Sequence, residues 1–305
     1  MCAARPSQAR TRGVKLQRMT AKTDTLTRRA AAIALALMTA LAGSVTAVEL
    51  QPKAVAAFDR YVKLTEAGID SERASGAPFL WVERLPADRR AAAESQLREG
   101  QVVIERLETL DGGKAIECPG GMIHHWIGTV FIPRATLAQV LALVQDYDHH
   151  QNYYRPDVMR SKIVRHSGDD YVVELRFYKK KILTSVVDTE HEIHYSMVDA
   201  THAWSRSRTT RVQQVEEAGK PDERLLPEGH DDGFLWRMNT YWRFEEKDGG
   251  TYVECQTISL TRDIPVGLGW LIGPYVNSVP RESLTFTLGT TRSAVLERTR
   301  NRGTN

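Results

Sequence analysis

The chain has 305 residues, 42% of them hydrophobic, and 41 Lys and Arg against 38 Asp and Glu give a formal charge of +3. That length holds one large domain or two ordinary ones, and the apolar content suffices for a sizeable core, which excludes a generally disordered chain. Residues 1–47 hold eight of the basic residues and one acidic one, so the remainder carries −4 and nucleic acid is not an expected partner.

Arg28 and Arg29 precede an uncharged run over residues 30–42, which ends in Gly43, Ser44, Val45, Thr46 and Ala47. This is the layout of a secretory signal peptide, with Val45 and Ala47 at the two positions a signal peptidase reads and a run too short to span a bilayer comfortably. Met19 is an alternative start, since the residues before it add only basic charge; an uncleaved anchor is the weaker reading. The expected location is therefore periplasmic or secreted, and residues 1–47 are set aside as a leader. Cys118 and Cys255 remain beyond it; an oxidising compartment would allow them to pair, but their spacing says nothing about contact.

Residues 48–68 predict a helix through the stripe Val55, Phe58, Val62 and Leu64, and residues 86–99 predict a second. Phe79, Leu80, Trp81 and Val82 form a strand-like run, as do Val102, Val103 and Ile104, while Asp111-Gly112-Gly113 and Pro119-Gly120-Gly121 mark turns. Residues 48–118 are thus expected to form an N-terminal helical extension on a larger domain over 119–300, with 301–305 as a disordered tail.

From Met122 the pattern becomes strand, helix, then a series of strands. Ile123, Ile127, Thr129 and Phe131 mark the first strand. Leu137, Val140, Leu141, Val144 and Tyr147 give the helix one apolar face, which must pack on a sheet. Six further strands are expected near 158–166, 171–178, 182–198, 202–217, 233–246 and 251–262, two pairs of them joined by turn signals at Ser167-Gly168-Asp169-Asp170 and Asp248-Gly249-Gly250.

The alternation in these runs divides them into an apolar and a wet side. Phe234, Trp236, Met238, Thr240, Trp242 and Phe244 oppose Arg237, Asn239, Tyr241 and Arg243. Tyr171, Val173, Leu175 and Phe177 oppose Glu174 and Arg176. Val187, Thr189, His191, Ile193 and Tyr195 oppose Asp188, Glu190, Glu192 and His194. A strongly bent antiparallel sheet with one apolar concave face fits them. A Gly/Pro-rich aromatic loop then leads into a long helix over 278–298, with Ser278 as N-cap and Leu284, Leu288, Thr291 and Val295 as its stripe.

Two stretches carry a likeness to a known family: QDYDHHQNYYRPDVMRSKIV at 145–164 and LTRDIPVGLGWLIGPYVNSVPRESLTFTL at 260–288. On these the chain resembles the START-like, polyketide-cyclase-like superfamily, also called SRPBCC, and the second stretch resembles uncharacterised bacterial members; the likeness spans residues 122–298. The resemblance implies an α+β helix-grip fold, in which a curved antiparallel sheet wraps the long C-terminal helix. It also implies a tunnel between them for lipids, sterols, polyketides or other apolar ligands. Fold alone does not name the ligand.

Phe177, Tyr195, Trp236, Met238 and Trp242 are the expected cavity wall, against the plainer reading of a filled core. Tyr153 and Tyr154 are expected at the mouth, and Trp270, Leu271, Ile272, Tyr275 and Val276 form either a lid or membrane-touching tip, with Trp270 and Tyr275 as ligand contacts, or a buried brace for the last helix. In the cluster Asp146, Tyr147, Asp148, His149, His150, Tyr153 and Tyr154, helix capping and surface solvation are expected over a metal site, because adjacent histidines point apart. The pair His124 and His125 fails as a metal site for the same reason. His191-Glu192-Ile193-His194 lacks the zinc-protease spacing, and Glu192 and His194 are expected to pair in solvent. His230 with Asp231 and Asp232 lies in a loop, and Arg206, Arg208 and Arg211 form a solvated face, with a ligand-binding pocket arginine as the alternative.

No nucleophile elbow, phosphate loop or dinucleotide fingerprint is present; Gly267-Leu268-Gly269 lacks the third glycine and the βαβ context. No metal, cofactor or catalytic residue is expected. The leading reading is a carrier of a small apolar ligand. The alternatives are a cyclase or dehydratase using His191 or Tyr195, and an interaction module in which residues 48–118 cover the grip and mediate assembly.

Overall fold

Every long alternating run after Gly120 pairs with a neighbour, and the pairing is antiparallel throughout. The computed structural model describes residues 48–180, 184–264 and 269–302, without the side chains of 48, 269–277 and 302; the expected leader lies outside the described residues. The strands are β1 (Val103–Arg106), β2 (Gly121–Pro133), β3 (Val158–Ser167), β4 (Asp170–Lys180), β5 (Thr184–Met197), β6 (His202–Glu216), β7 (Arg237–Lys247) and β8 (Gly250–Arg262). Their order across the sheet is β1-β2-β8-β7-β6-β5-β4-β3, with a two-residue strand at Arg224–Leu225 on β6. The sequence therefore runs β2, then away to the far edge at β3, and returns strand by strand to β8 beside β2.

The helices are α1 (Pro52–Ala74), α2 (Ala87–Arg98), α3 (Leu137–Val144) and α4 (Gly269–Arg302). α3 opens on a capping box: Thr136 Oγ1 accepts the Gln139 backbone N–H at 3.3 Å, and Gln139 Oε1 accepts the Thr136 N–H at 3.0 Å. Its buried face is centred on Leu143 beside Val140 and Val144, leaving the predicted Leu141 half-buried. The α4 stripe is as expected, with Leu284, Leu288, Thr291 and Val295 all buried.

The structure corrects several boundaries. α4 begins at Gly269 rather than Ser278, and continues to Arg302 into the predicted tail. A proline signals a start because it lacks an N–H, but inside a helix it removes one backbone bond and need not end it when packing holds the turns around it. The run at Phe79–Val82 forms a 3-10 turn (Trp81–Arg84), because Glu254 Oε2 accepts the Trp81 N–H at 2.7 Å and Glu83 accepts the Leu80 N–H. Among the described residues no helix is long and apolar enough to cross a membrane.

The sheet has a core on each face. On the concave side α3 and α4 close over Val130, Val173, Phe244 and Val253. On the convex side α1 brings Phe58, Tyr61 and Ile69 onto Tyr241, Ile258 and Leu260. The expected wet face of β7 is thus covered in this part: Tyr241 donates to Glu66 at 3.0 Å, and Arg243 pairs with Glu254 at 2.7 Å and Glu72 at 3.4 Å. Polar residues stay on that face because α1 supplies their partners.

Helix α4 lies close on the sheet at Gly128, where an added Cβ would lie 2.8 Å from Leu288 Cδ1 and 3.4 Å from the Val103 carbonyl. Replacing Gly128 by valine is expected to push α4 off the sheet and cost about 1–3 kcal/mol, read as a lower urea midpoint. Gly128→Ala should cost less, because the Leu288 methyl can yield; equal stability of Gly128→Val and wild type would refute the close approach.

Candidate functional site

Between the concave face and α4 lies a cavity of about 460 Å³. The register lays out its wall row by row. Tyr195, Ser205, Trp242 and Cys255 face one another across β5, β6, β7 and β8. In the next row stand Ile193, Ser207, Thr240 and Thr257, and beyond it His191, with Met238 opposite Ser259. Leu175 and Phe177 continue the wall on β4, and Val279, Pro280, Leu284 and Thr287 form the roof on α4.

The two ends differ. At the inner end Tyr147 and Tyr195 share a hydrogen bond of 2.7 Å, and Tyr154 bonds Thr291 of α4 at 3.0 Å. Burial pushes the phenols of Tyr147 and Tyr195 above their ordinary range and that of Tyr154 up to about 12, so all three stay neutral. At the outer end the strand termini bring Asp157, Lys179, Arg262 and Asp263 to the rim, with Asp157 and Lys179 paired to each other.

His191 is the buried titratable group of the middle section. Thr189 spends its one hydroxyl proton on the Leu175 carbonyl at 3.1 Å, so it accepts from His191 Nε2–H at 2.9 Å. That leaves Nδ1 as an acceptor for Ser207 Oγ, 3.4 Å away. Burial holds the imidazole down at about 4, hence neutral at ordinary pH. His150, at the inner end, is likewise pushed down to about 4 and donates Nε2–H to the Val144 carbonyl at 3.1 Å.

Of the predicted wall residues, Phe177, Tyr195, Met238 and Trp242 line the cavity. Trp236 does not. It precedes β7, where the strand alternation has not begun, and is buried on the convex side with Phe58 and Tyr241, its indole N–H held by Asp231 Oδ1 at 3.0 Å. Tyr153 also lies elsewhere, donating to Asp146 at 2.8 Å beneath the Arg298 guanidinium on the outside of α4. The side chains of Trp270, Leu271, Ile272, Tyr275 and Val276 lie outside those described; the backbone there is helix, not the expected loop.

Sequence reasoning missed His150, which was expected at a solvated surface and is buried in the cavity wall, while Tyr147, expected on the packed stripe of α3, and Tyr154, expected at the mouth, are buried in the same wall. Their spacing i, i+3, i+7 was the available signal, continuing the stripe of α3 through a 3-10 turn (Tyr147–His149) and a short helix (His150–Tyr153). The polar half of the cluster bonds locally instead of capping: Asp146 takes bonds from the His149 and Tyr153 side chains, Asp148 takes the Ile163 N–H of β3, and neither short helical turn has a side-chain cap bond. Cys118 and Cys255 are both free, the first in the convex cluster and the second on the concave wall, so the sheet separates them. No group of three or more metal-ligating side chains occurs among the described residues.

A second depression, of about 660 Å³, lies on the outer face near Glu66, Arg206 and Arg208. Its charges answer one another: Arg206 pairs with Asp70, Arg208 with Glu192 at 2.7 Å, and His194 with Asp170 at 2.8 Å. The expected Glu192–His194 pair is therefore replaced by cross-strand partners, and neither arginine enters the concave cavity.

No family model matches the sequence, and a search of curated proteins returned no match. Solved structures of similar shape include a STAR-related lipid transfer protein fragment from Xanthomonas axonopodis, with 17% identity over 63% of this chain and 98% of that one and a TM-score of 0.39. Human STARD10 has 10% identity over 72% of this chain and 84% of that one, with a TM-score of 0.40. The Zhui aromatase/cyclase from Streptomyces sp. R1128 has 13% identity over 60% and 99%, with a TM-score of 0.39. The element order, the bent antiparallel sheet and α4 across its concave face settle the architecture. The chain has an α+β helix-grip fold. In this helix grip the convex face carries a further layer, α1 and the turn before α2, built from the segment that lay outside the resemblance.

Proposed function

We propose that the protein binds and carries a small, largely apolar molecule in the grip cavity, as an exported protein whose leader is removed after Ala47. The cavity itself supports the carrier reading: a space of about 460 Å³ remains between sheet and helix, walled by Leu175, Phe177, Val187, Met238 and Trp242. Its size falls within the range of about 300–1,000 Å³ typical of small-molecule sites. A filled interior would have supported a structural role instead.

The cyclase or dehydratase reading has less support. Each acid–base candidate is engaged by protein: His191 by Thr189 and Ser207, Tyr195 by Tyr147. A group meant to move a substrate proton needs a free lone pair or proton facing the substrate.

Native mass spectrometry of the mature protein, purified from its own compartment, tests the carrier reading. A retained small molecule, released on denaturation, and a mass beginning at Val48 are the expected results. An intact leader would remove the export reading. A clean apo mass, with no uptake of an apolar fluorophore by the isolated protein, would remove the carrier reading.

A further inference from the structure

The middle of the cavity wall is lined with hydroxyls where an apolar cavity would be lined with valines. Ser207, Thr240 and Thr257 stand directly opposite one another on β6, β7 and β8, and Ser259 lies two positions further along β8. Adjacent strands are about 4.8 Å apart, so the three paired positions form a strip about 10 Å long across the sheet. Ser207 and Ser259 are only 9% and 7% exposed.

These hydroxyls are not used by the fold. Among the described residues, Thr240, Thr257 and Ser259 have no side-chain hydrogen-bond partner, while the nearby Thr189, Thr209, Thr251 and Thr291 each have one. Thr240 and Thr257 are half-buried and line the cavity, so an occupant that displaced water from their hydroxyls without bonding them would lose about 1–3 kcal/mol at each. Their partners must come from what fills the cavity.

The surroundings restrict that occupant further. The charged groups in the cavity lining are Asp157, Lys179, Arg262 and Asp263, which stand at the strand ends by the rim, not on the strip. A carboxylate or phosphate at the strip would have no cation to meet it and would be buried unpaired. Ser207 is more selective than its neighbours, because its proton is directed at Nδ1 of His191, whose tautomer Thr189 sets. Ser207 therefore offers only lone pairs, and the group meeting it must be a donor, a hydroxyl rather than a ketone.

We infer that the ligand is an uncharged molecule with an apolar body and a cluster of oxygens that includes a free hydroxyl, bound with those oxygens on Ser207, Thr240, Thr257 and Ser259. The specificity determinants are the strip hydroxyls, with His191 and Thr189 as positioning residues behind Ser207. This rests on the carrier reading and narrows it, setting aside hydrocarbons, free fatty acids and phospholipid headgroups as occupants of the strip.

The test uses the mature protein with the uncharged fluorophore N-phenyl-1-naphthylamine as reporter, displaced by 1-monomyristoylglycerol or by myristate, which share a chain length and differ in charge and hydroxyls. The monoester is expected to compete at least about tenfold better than myristate. In Thr240→Val/Thr257→Val its affinity should fall by about ten- to thirtyfold, the loss of two ordinary hydrogen bonds, with reporter binding and melting temperature unchanged. Thr240→Ser/Thr257→Ser should keep it. Equal competition by myristate, or an unaffected valine variant, overturns the inference while the carrier reading stands. Failure of the reporter to enter the wild-type cavity overturns both.

Discussion

Replacing Arg243 by alanine is expected to destabilise the protein by about 3–5 kcal/mol, the usual cost of breaking a buried ion pair from one side. Glu254 is fully buried, with Oε1 on Arg243 at 2.7 Å and Oε2 on the Trp81 N–H at 2.7 Å and Thr129 at 3.2 Å. Burial already pushes its carboxyl above the ordinary range, with Arg243 opposing the rise. Without the guanidinium, the carboxylate must either remain buried and uncompensated or take up a proton. The damage would also loosen the N-terminal layer, since Glu254 anchors the turn at Trp81 and Arg243 reaches Glu72 on α1 at 3.4 Å. Urea denaturation with an unchanged m-value measures the loss. Arg243→Met with Glu254→Gln should recover most of it, because the glutamine keeps an acceptor for the Trp81 N–H while neither residue is charged. A loss below about 1 kcal/mol in Arg243→Ala, the value of an exposed pair, would show that the pair is solvated.

That same pair marks where sequence reading stops. The faces of β4 and β5 were legible because one-in-two alternation is preserved along each strand, from Tyr171 to Phe177 and from Val187 to Tyr195. What covers the opposite face was not legible. Arg243 and Tyr241 read as wet, and only three-dimensional proximity brings them Glu72 and Glu66, more than 170 positions earlier. Trp236 was misplaced because alternation was extended past the start of β7, into residues whose backbone follows the Asp231 turn. His150 was missed for the opposite reason: the helical spacing it shares with Tyr147 and Tyr154 was hidden by a change from α3 to a 3-10 turn and by flanking charged residues. The hydroxyl strip went unread: Thr240 passed as one member of an apolar face, and neither its pairing with Ser207 and Thr257 across three strands nor the lack of partners can be read along one chain.

The protein is expected to lose stability steeply on acidification from pH 6.5 towards 4, before most carboxylates titrate. His124, His125, His150 and His191 are all buried, and burial pushes each from 6.5 down to about 4. Between those values the unfolded chain binds protons that the folded chain refuses, so stability is complete above pH 6.5 and falls as pH drops through the window. A group shifted by this much loses about 2 kcal/mol by pH 5, and four acting independently lose about 8 kcal/mol, comparable to the whole stability of an ordinary domain. Glu254 works in the other direction, since its raised value lets the folded state bind a proton first, and it softens the slope. Asp146 does not enter this window: although burial raises it, bonds from His149, Tyr153 and Arg298 bring it to about 2, so its contribution is lost only below pH 4. Urea midpoints at pH 7, 6 and 5 give the slope. His125, held between Tyr61 at 2.9 Å and Gln256 at 2.8 Å under α1, supplies the control. His125→Gln should lower stability at pH 7 and flatten the slope by up to about 1.4 kcal/mol per pH unit, whereas a wild-type stability constant between pH 7 and 5 would mean that these imidazoles are open to water.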